Sequence, residues 1–241
     1  MRKVCVFVGS RANYSSIKSV MIAVKAHSEL ELQLVLGTSA VLDRFGKVED
    51  LIRKDGFEPD FTFHNLIEGE TPATMAKSTG LGLMDASVAF HNLKPDMLVV
   101  VGDRFEMMSV TLAAAYMNVT IVHTMGGEVT GTIDESIRHA ISKFSHIHFP
   151  ANEDSRQRII RMGEDPEFVH NVGCPRTDLV ALELQNDSYK VLKDLFRIFG
   201  GVGKSFDLKE PYLLVSQHSV TTEFGDNRWQ IEETLEALDK L

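Results

Sequence analysis

Four short stretches carry side chains and spacings suited to chemistry, and each directly follows an apolar run. The first is Gly9-Ser10-Arg11-Ala12-Asn13-Tyr14. A glycine there lets a ligand approach the backbone, a following helix offers free N–H groups to an anion, and Arg11 adds a charged contact. A plain strand–helix turn with an exposed arginine reads equally well. The second stretch is Val101-Gly102-Asp103-Arg104-Phe105-Glu106. Asp103 precedes a candidate helix, so on the residues alone a capping role is the plainer reading. Arg104 can pair with an anionic ligand or with Glu106.

The third stretch runs from His123 to His139 and holds three glycines (Gly126, Gly127, Gly131) and three carboxylates (Glu128, Asp134, Glu135). Paired glycines permit close backbone approach. Carboxylates serve as general acids and bases once their surroundings tune them. Thr132-x-x-Glu135 fits a capping box, which makes Glu135 structural. Asp134 falls in the first helical turn, where it complements the dipole and should lie near Arg138, four residues on. Glu128 sits on a glycine-rich loop with no helical reason to be acidic, and is the first candidate for proton transfer. The fourth stretch, Ser216-Gln217-His218-Ser219-Val220-Thr221-Thr222-Glu223, places a histidine among polar residues after a strand. A ligand contact and an ordinary exposed histidine weigh equally there.

These stretches need elements to hold them. Apolar runs at Val4–Val8, Leu32–Leu36, Phe61–Phe63, Met97–Val101, Val119–His123, His146–Phe149, Phe168–Val172 and Tyr212–Val215 read as strands. Several do not alternate, as expected of strands buried on both faces. Helical patterns fall between them at Ser15–Lys25, Lys47–Lys54, Ala73–Leu93, Arg104–Met117, Asp134–Phe144, Glu153–Met162 and Thr177–Leu184. The alternation predicts an α/β fold: a Rossmann-like parallel sheet with helices on both faces. Ligands of such sheets bind at the carboxyl ends of the strands, where the four polar stretches lie. Residues 1–172 form the first expected domain and 173–210 connecting helices and a linker. The latter include a helix at Asn186–Phe199 and a break near 199–210. Residues 211–241 would begin another domain, with a helix from about Asp226 whose Ile231, Leu235 and Leu238 form an apolar stripe.

The 241 residues are 44% hydrophobic and 24% charged, which excludes general disorder. A net charge of −9 argues against non-specific nucleic-acid binding. No apolar stretch is long enough to span a membrane, and the N-terminus reads as a buried strand rather than a signal peptide. Cys5 and Cys174 stand alone, so neither a disulfide framework nor a zinc site is implied, and a cytoplasmic location is expected. Gly203-Lys204-Ser205 lacks the earlier glycine of a phosphate-binding loop, since Ile198 stands there. His146 and His148 share a strand face with no third ligand in view.

Taken together, GSRANY (9–14), VGDRFE (101–106), HTMGGEVTGTIDESIRHAISK (123–143), VGCPRTD (172–178) and SQHSVTTEF (216–224) resemble the hydrolysing UDP-N-acetylglucosamine 2-epimerases of sialic and legionaminic acid biosynthesis. The resemblance implies a glycosyltransferase-B-like architecture in which two Rossmann-like halves close over a nucleotide sugar. It implies loss of the C2 proton with expulsion of UDP, giving a 2-acetamidoglucal. Water then adds at C1 while C2 is reprotonated on the other face. Carboxylates act as acid and base, without metal or redox cofactor. By this resemblance Asp103, Glu128 and Asp134 are catalytic carboxylates, and His218 faces the leaving diphosphate or the sugar. Arg11, Arg104, Gly9, Ser10 and Gly127 would contact substrate. Many relatives carry an acid where this chain has Met125; in some the glutamate after the glycine pair serves instead. The SQHSVTTEF form is closer to the legionaminic branch, which takes a 2,4-diacetamido-6-deoxy sugar. Relatives continue for roughly half as much chain again, a second nucleotide-binding domain, and are commonly oligomeric.

Overall fold

In the computed structural model the described residues are 1–69, 71–185, 198, 200–201, 206–207, 210–218 and 225–241. They divide into two compact units, Met1–Val180 and Ala181–Leu241.

The first unit is built on six strands: β1 (Arg2–Val8), β2 (Leu30–Leu36), β3 (Phe61–Thr62), β4 (Met97–Val101), β5 (Thr120–Thr124) and β6 (Ile147–Phe149). They lie in the order β3-β2-β1-β4-β5-β6, and every pairing is parallel. The helices between them are α1 (Arg11–Ala26), α2 (Val48–Lys54), α3 (Pro72–Leu93), α4 (Phe105–Tyr116), α5 (Ile133–Phe144), α6 (Glu153–Arg161) and α7 (Pro175–Glu183).

Strand alternation explains how one sheet serves two cores. Val4, Val6 and Val8 point to one face, against Tyr14, Ile17 and Met21 of α1 and Ile52 of α2. Cys5 and Phe7 point to the other, against Phe90 of α3, Met107 and Val110 of α4, and Ile141 of α5. All these side chains are buried. This is the predicted Rossmann-like sheet, with helices on both faces. Burial also pushes the Cys5 thiol above its ordinary range, so it packs as a small apolar group.

Two predicted strands do not form. The 3-10 turn Pro166–Phe168, with Asp165 capping it and Pro166 at its first position, takes the first residue of Phe168–Val172. Only Val169 is buried, through a single bridge to His148, while Phe168 and Val172 are exposed. Among the described residues Tyr212–Val215 of the second unit pairs with no strand, and its Leu213 and Leu214 are exposed. A lone apolar run without a neighbour cannot satisfy its backbone in a ladder. The second unit's described helix is α8 (Asn227–Leu238), on which Ile231 and Leu235 are exposed. The expected helix over 186–199 and most of the expected linker, including Gly203-Lys204-Ser205, lie outside the described residues.

Candidate active site

Strand order reverses between β1 and β4, so the connections leaving their carboxyl ends diverge and open a crevice. A cleft of about 190 Å³ lies there. It is lined by Asp103, Arg104 and Glu128 from the predicted set, with Asn13, Ser16, Met125, Arg138 and Arg176 among the rest.

The β1–α1 turn does its work inwardly. Gly9 donates its N–H to Asn13 Oδ1 (3.2 Å), and the Ser10 hydroxyl contacts the same oxygen (2.8 Å) while capping α1 at Asn13 N. A Cβ on Gly9 would meet Glu106 Cγ at 2.6 Å, so close helix packing already accounts for that glycine. Gly9 and Ser10 do not line the cleft, and neither does Arg11, whose exposed guanidinium lies beside Gly46.

Gly102 takes a positive φ of 79° and turns the chain out of β4 to present Asp103. Asp103 is not the cap of α4; Arg104 occupies that position, without a side-chain capping bond. Instead the Asp103 carboxylate pairs with Arg138, whose side chain is 3% exposed. Arg138 Nη1 also donates to the Glu128 carbonyl (2.7 Å) and lies 3.4 Å from Thr130 Oγ1. The expected approach of Asp134 to Arg138 is therefore replaced by three other contacts. Arg138 shares the buried side of α5 with Ile141 and Ser142, whereas Asp134 is half-buried in its first turn and does not line the cleft.

Glu135 keeps a structural role with different partners from those of a capping box. Its carboxylate accepts from the N–H groups of Thr130 (2.7 Å) and Gly131 (2.8 Å), and Thr132 makes no side-chain cap bond. Those two donors hold the Glu135 carboxyl below its ordinary range. The glycine-rich loop is anchored elsewhere too: the Gly127 carbonyl accepts from Arg158. A Cβ on Gly127, at a φ of 80°, would lie 2.4 Å from the Ser155 carbonyl oxygen. Gly127 thus serves packing against α6 and does not line the cleft. Among the described residues the Glu128 carboxylate has no hydrogen-bond or ion-pair partner. Arg104 Nε stands 3.1 Å from the buried Glu106 carboxylate, the pairing foreseen as one of two options.

Two cleft cations come from outside the four stretches' obvious candidates. Arg138 had a local signal, since it falls on the buried side of an amphipathic helix. Arg176 falls in the VGCPRTD segment, but no local pattern places it in the cleft: it reaches there because α7 moors on α1, with Arg176 Nε donating to Ser16 Oγ (2.6 Å) and Ser19 Oγ to the Pro175 carbonyl (3.0 Å). The cleft so presents three guanidinium groups against two carboxylates, a balance suited to an anionic ligand that needs acid–base chemistry. His218 belongs to the second unit, where it is exposed with Nε2 3.4 Å from Ser216 Oγ.

Beneath the Asp103 turn lies His123, fully buried. Its Nε2 is 2.8 Å from the Gly102 carbonyl and its Nδ1 3.1 Å from Ser142 Oγ. A carbonyl only accepts, so Nε2 carries the proton and Nδ1 accepts from the hydroxyl. Burial lowers the His123 pKa from 6.5 to about 4, against the opposing pull of the Gly102 bond. The unfolded chain therefore binds this proton near pH 6.5 and the folded chain only near 4. Stability from His123 is complete above 6.5 and is lost as pH falls through that window, by about 3 kcal/mol in full. Urea unfolding at pH 7 and pH 4 should show that loss in the wild type. In His123→Asn the difference between the two pH values should shrink by a similar amount.

A doubly wound α/β protein with a cleft of carboxylates and guanidinium groups at its switch point is the class that fold and site define. The family model for UDP-N-acetylglucosamine 2-epimerase matches residues 22–241, and the chain belongs to that family. It is 31% identical over 241 residues to the GDP/UDP-N,N'-diacetylbacillosamine 2-epimerase (hydrolyzing) of Campylobacter jejuni, covering 100% of this chain and 60% of that protein. It is 33% identical over 239 residues to the UDP-N,N'-diacetylbacillosamine 2-epimerase (hydrolyzing) of Legionella pneumophila, covering 98% and 60%. The chain thus spans about three-fifths of the length of these curated relatives. In fold it resembles the UDP-GlcNAc 2-epimerase of Neisseria meningitidis solved bound to UDP-GlcNAc, with a TM-score of 0.69 at 18% identity over 83% of this chain and 54% of that one. Among the described residues no helix is long and apolar enough to cross a membrane.

Proposed function

We propose that this chain carries the acid–base half of a hydrolysing 2-epimerase acting on a UDP-2-acetamido sugar. The substrate is UDP-N-acetylglucosamine or its 4-acetamido-6-deoxy analogue, and the products are UDP and the free manno-configured sugar. The observation that carries this reading is the meeting of Asp103 and Glu128 with Arg104, Arg138 and Arg176 in one cleft at the switch point. Proton removal at C2 and reprotonation on the opposite face need two proton-transfer groups, and loss of UDP needs cations for the departing diphosphate. Asp103 and Glu128 supply the first requirement, with Asp134 the third carboxylate of the set, and the arginines supply the second. A 2-acetamidoglucal is the intermediate, carboxylates perform the proton transfers without a metal, and His218 contributes from the second domain.

The cleft volume supports a division of labour. At about 190 Å³ it is smaller than the ~300–1,000 Å³ of pockets that enclose drug-sized ligands, so it takes the sugar end and not the whole nucleotide. A second domain of glycosyltransferase-B type, begun by residues 211–241, takes the nucleotide. The whole enzyme works in the cytoplasm as a homo-oligomer, apart from nucleic acid and membrane.

The test is incubation with each sugar nucleotide in D2O, with a chelator present. Free UDP and a manno sugar bearing deuterium at C2 are expected. The relatives' greater length also favours a second reading, a sugar-nucleotide-binding module without turnover. Micromolar UDP binding with no product would select that reading. A product of unchanged configuration, or one without deuterium at C2, would defeat the epimerase proposal.

A further inference from the structure

Both acidic residues of the cleft are tied to one guanidinium, Asp103 by its carboxylate and Glu128 by its backbone. Arg138 binds the Asp103 side chain directly, yet it binds Glu128 only through the backbone carbonyl, and that carboxylate has no partner among the described residues. Its third contact, Thr130 Oγ1, is on the same loop. Arg138 thus bridges the β4–α4 turn, the glycine-rich loop and α5, while itself buried at the floor of the cleft. A guanidinium is suited to such a bridge because its planar fork donates in several fixed directions at once. Burial of the cation also demands that these acceptors stay in place.

We infer that Arg138 is a positioning residue, which fixes Asp103 as a constantly paired carboxylate and aims the unpaired Glu128 carboxylate into the cleft as the mobile proton carrier. Two like-charged groups in one small site would otherwise repel and spread. One shared cation holds them at a set separation and gives them unequal tasks, which acid–base chemistry on opposite faces of a sugar carbon requires. The activity consequence rests on the functional reading above; the bridging does not.

The test compares Arg138→Met and Arg138→Lys with the wild type by two readouts. Backbone hydrogen exchange needs no turnover. In Arg138→Met, exchange at residues 126–131 should rise by about tenfold, the equivalent of one lost charged hydrogen bond, while β4 and β5 amides stay protected. Lysine retains the charge without the fork, so Arg138→Lys should fall between the two. Should methionine prevent folding, the lysine variant carries the comparison alone. Unchanged exchange in 126–131, or a uniform rise across the sheet, overturns the positioning role. In the turnover assay, kcat should drop about 100-fold in Arg138→Met, as for a misplaced reacting group, with KM within about threefold and partial rescue by lysine. An unaltered kcat overturns the inference. A wild type without turnover would refute the epimerase reading alone, and the exchange readout would still decide the bridge.

Discussion

Replacing Asp103 by alanine is expected to destabilise the first unit by about 3 kcal/mol and to remove turnover. Arg138 is 3% exposed and Asp103 is its one carboxylate partner among the described residues. Deleting one member of a buried pair leaves a buried charge uncompensated, which typically costs about 3–5 kcal/mol. The lower end applies because water can enter the cleft beside it. Burial already lowers the Arg138 pKa, so the cation has no solvation in reserve. Asparagine retains an acceptor oxygen, so Asp103→Asn should cost roughly half as much stability while still losing the carboxylate. Glu153→Ala supplies the comparison: its pair with Arg156 is exposed and should contribute far less. Urea unfolding of the three variants measures these differences. A cost for Asp103→Ala no larger than that for Glu153→Ala would mean that Arg138 does not depend on this carboxylate.

What the sequence made legible, and what it did not, follows from the range of the interactions. Sheet and helices were readable because strands buried on both faces are apolar without interruption, as Met97–Val101 is, and because helices announce a 3.6-residue period. The failures lie in what composition cannot report. Phe168–Val172 and Tyr212–Val215 have strand-like composition, but composition reports neither the Pro166 turn that leaves the first with a single bridge to β6 nor the absence of a partner strand for the second among the described residues. The site followed the same rule. Asp103 and Glu128 come together in one cleft because strand ends in a parallel sheet gather at one edge. A cap is the local reading of Asp103 because its true partner, Arg138, is 35 residues away. Asp134 was assigned Arg138 by local helical spacing, and a tertiary ion pair took it instead. Arg176 contacts a residue 160 positions earlier, a meeting that no local pattern encodes. Gly9 and Gly127 look locally like room for a ligand; the structure packs Glu106 against one and the Ser155 backbone against the other.

Glu128→Gln is expected to lower turnover by about 10²–10⁴-fold, the range lost with a general acid or base. It should leave stability within about 0.5 kcal/mol, as for a substitution that breaks no buried contact. The asymmetry follows from the contacts of this residue. Its backbone carbonyl is held by Arg138, which the substitution does not touch, whereas its carboxylate has no protein partner to lose among the described residues. Glutamine has nearly the same shape but cannot exchange a proton near neutrality, so chemistry alone should suffer. UDP affinity should accordingly be unchanged while deuterium uptake at C2 disappears with UDP release. Asp134→Asn sharpens the outcome, because Asp134 stands outside the cleft lining and the resemblance alone gives it a proton-transfer role. Loss of C2 exchange in Glu128→Gln, with retention in Asp134→Asn, would assign the proton to Glu128. Full activity in Glu128→Gln with loss in Asp134→Asn would transfer that role to Asp134. It would also require the first turn of α5 to move toward the cleft when substrate binds.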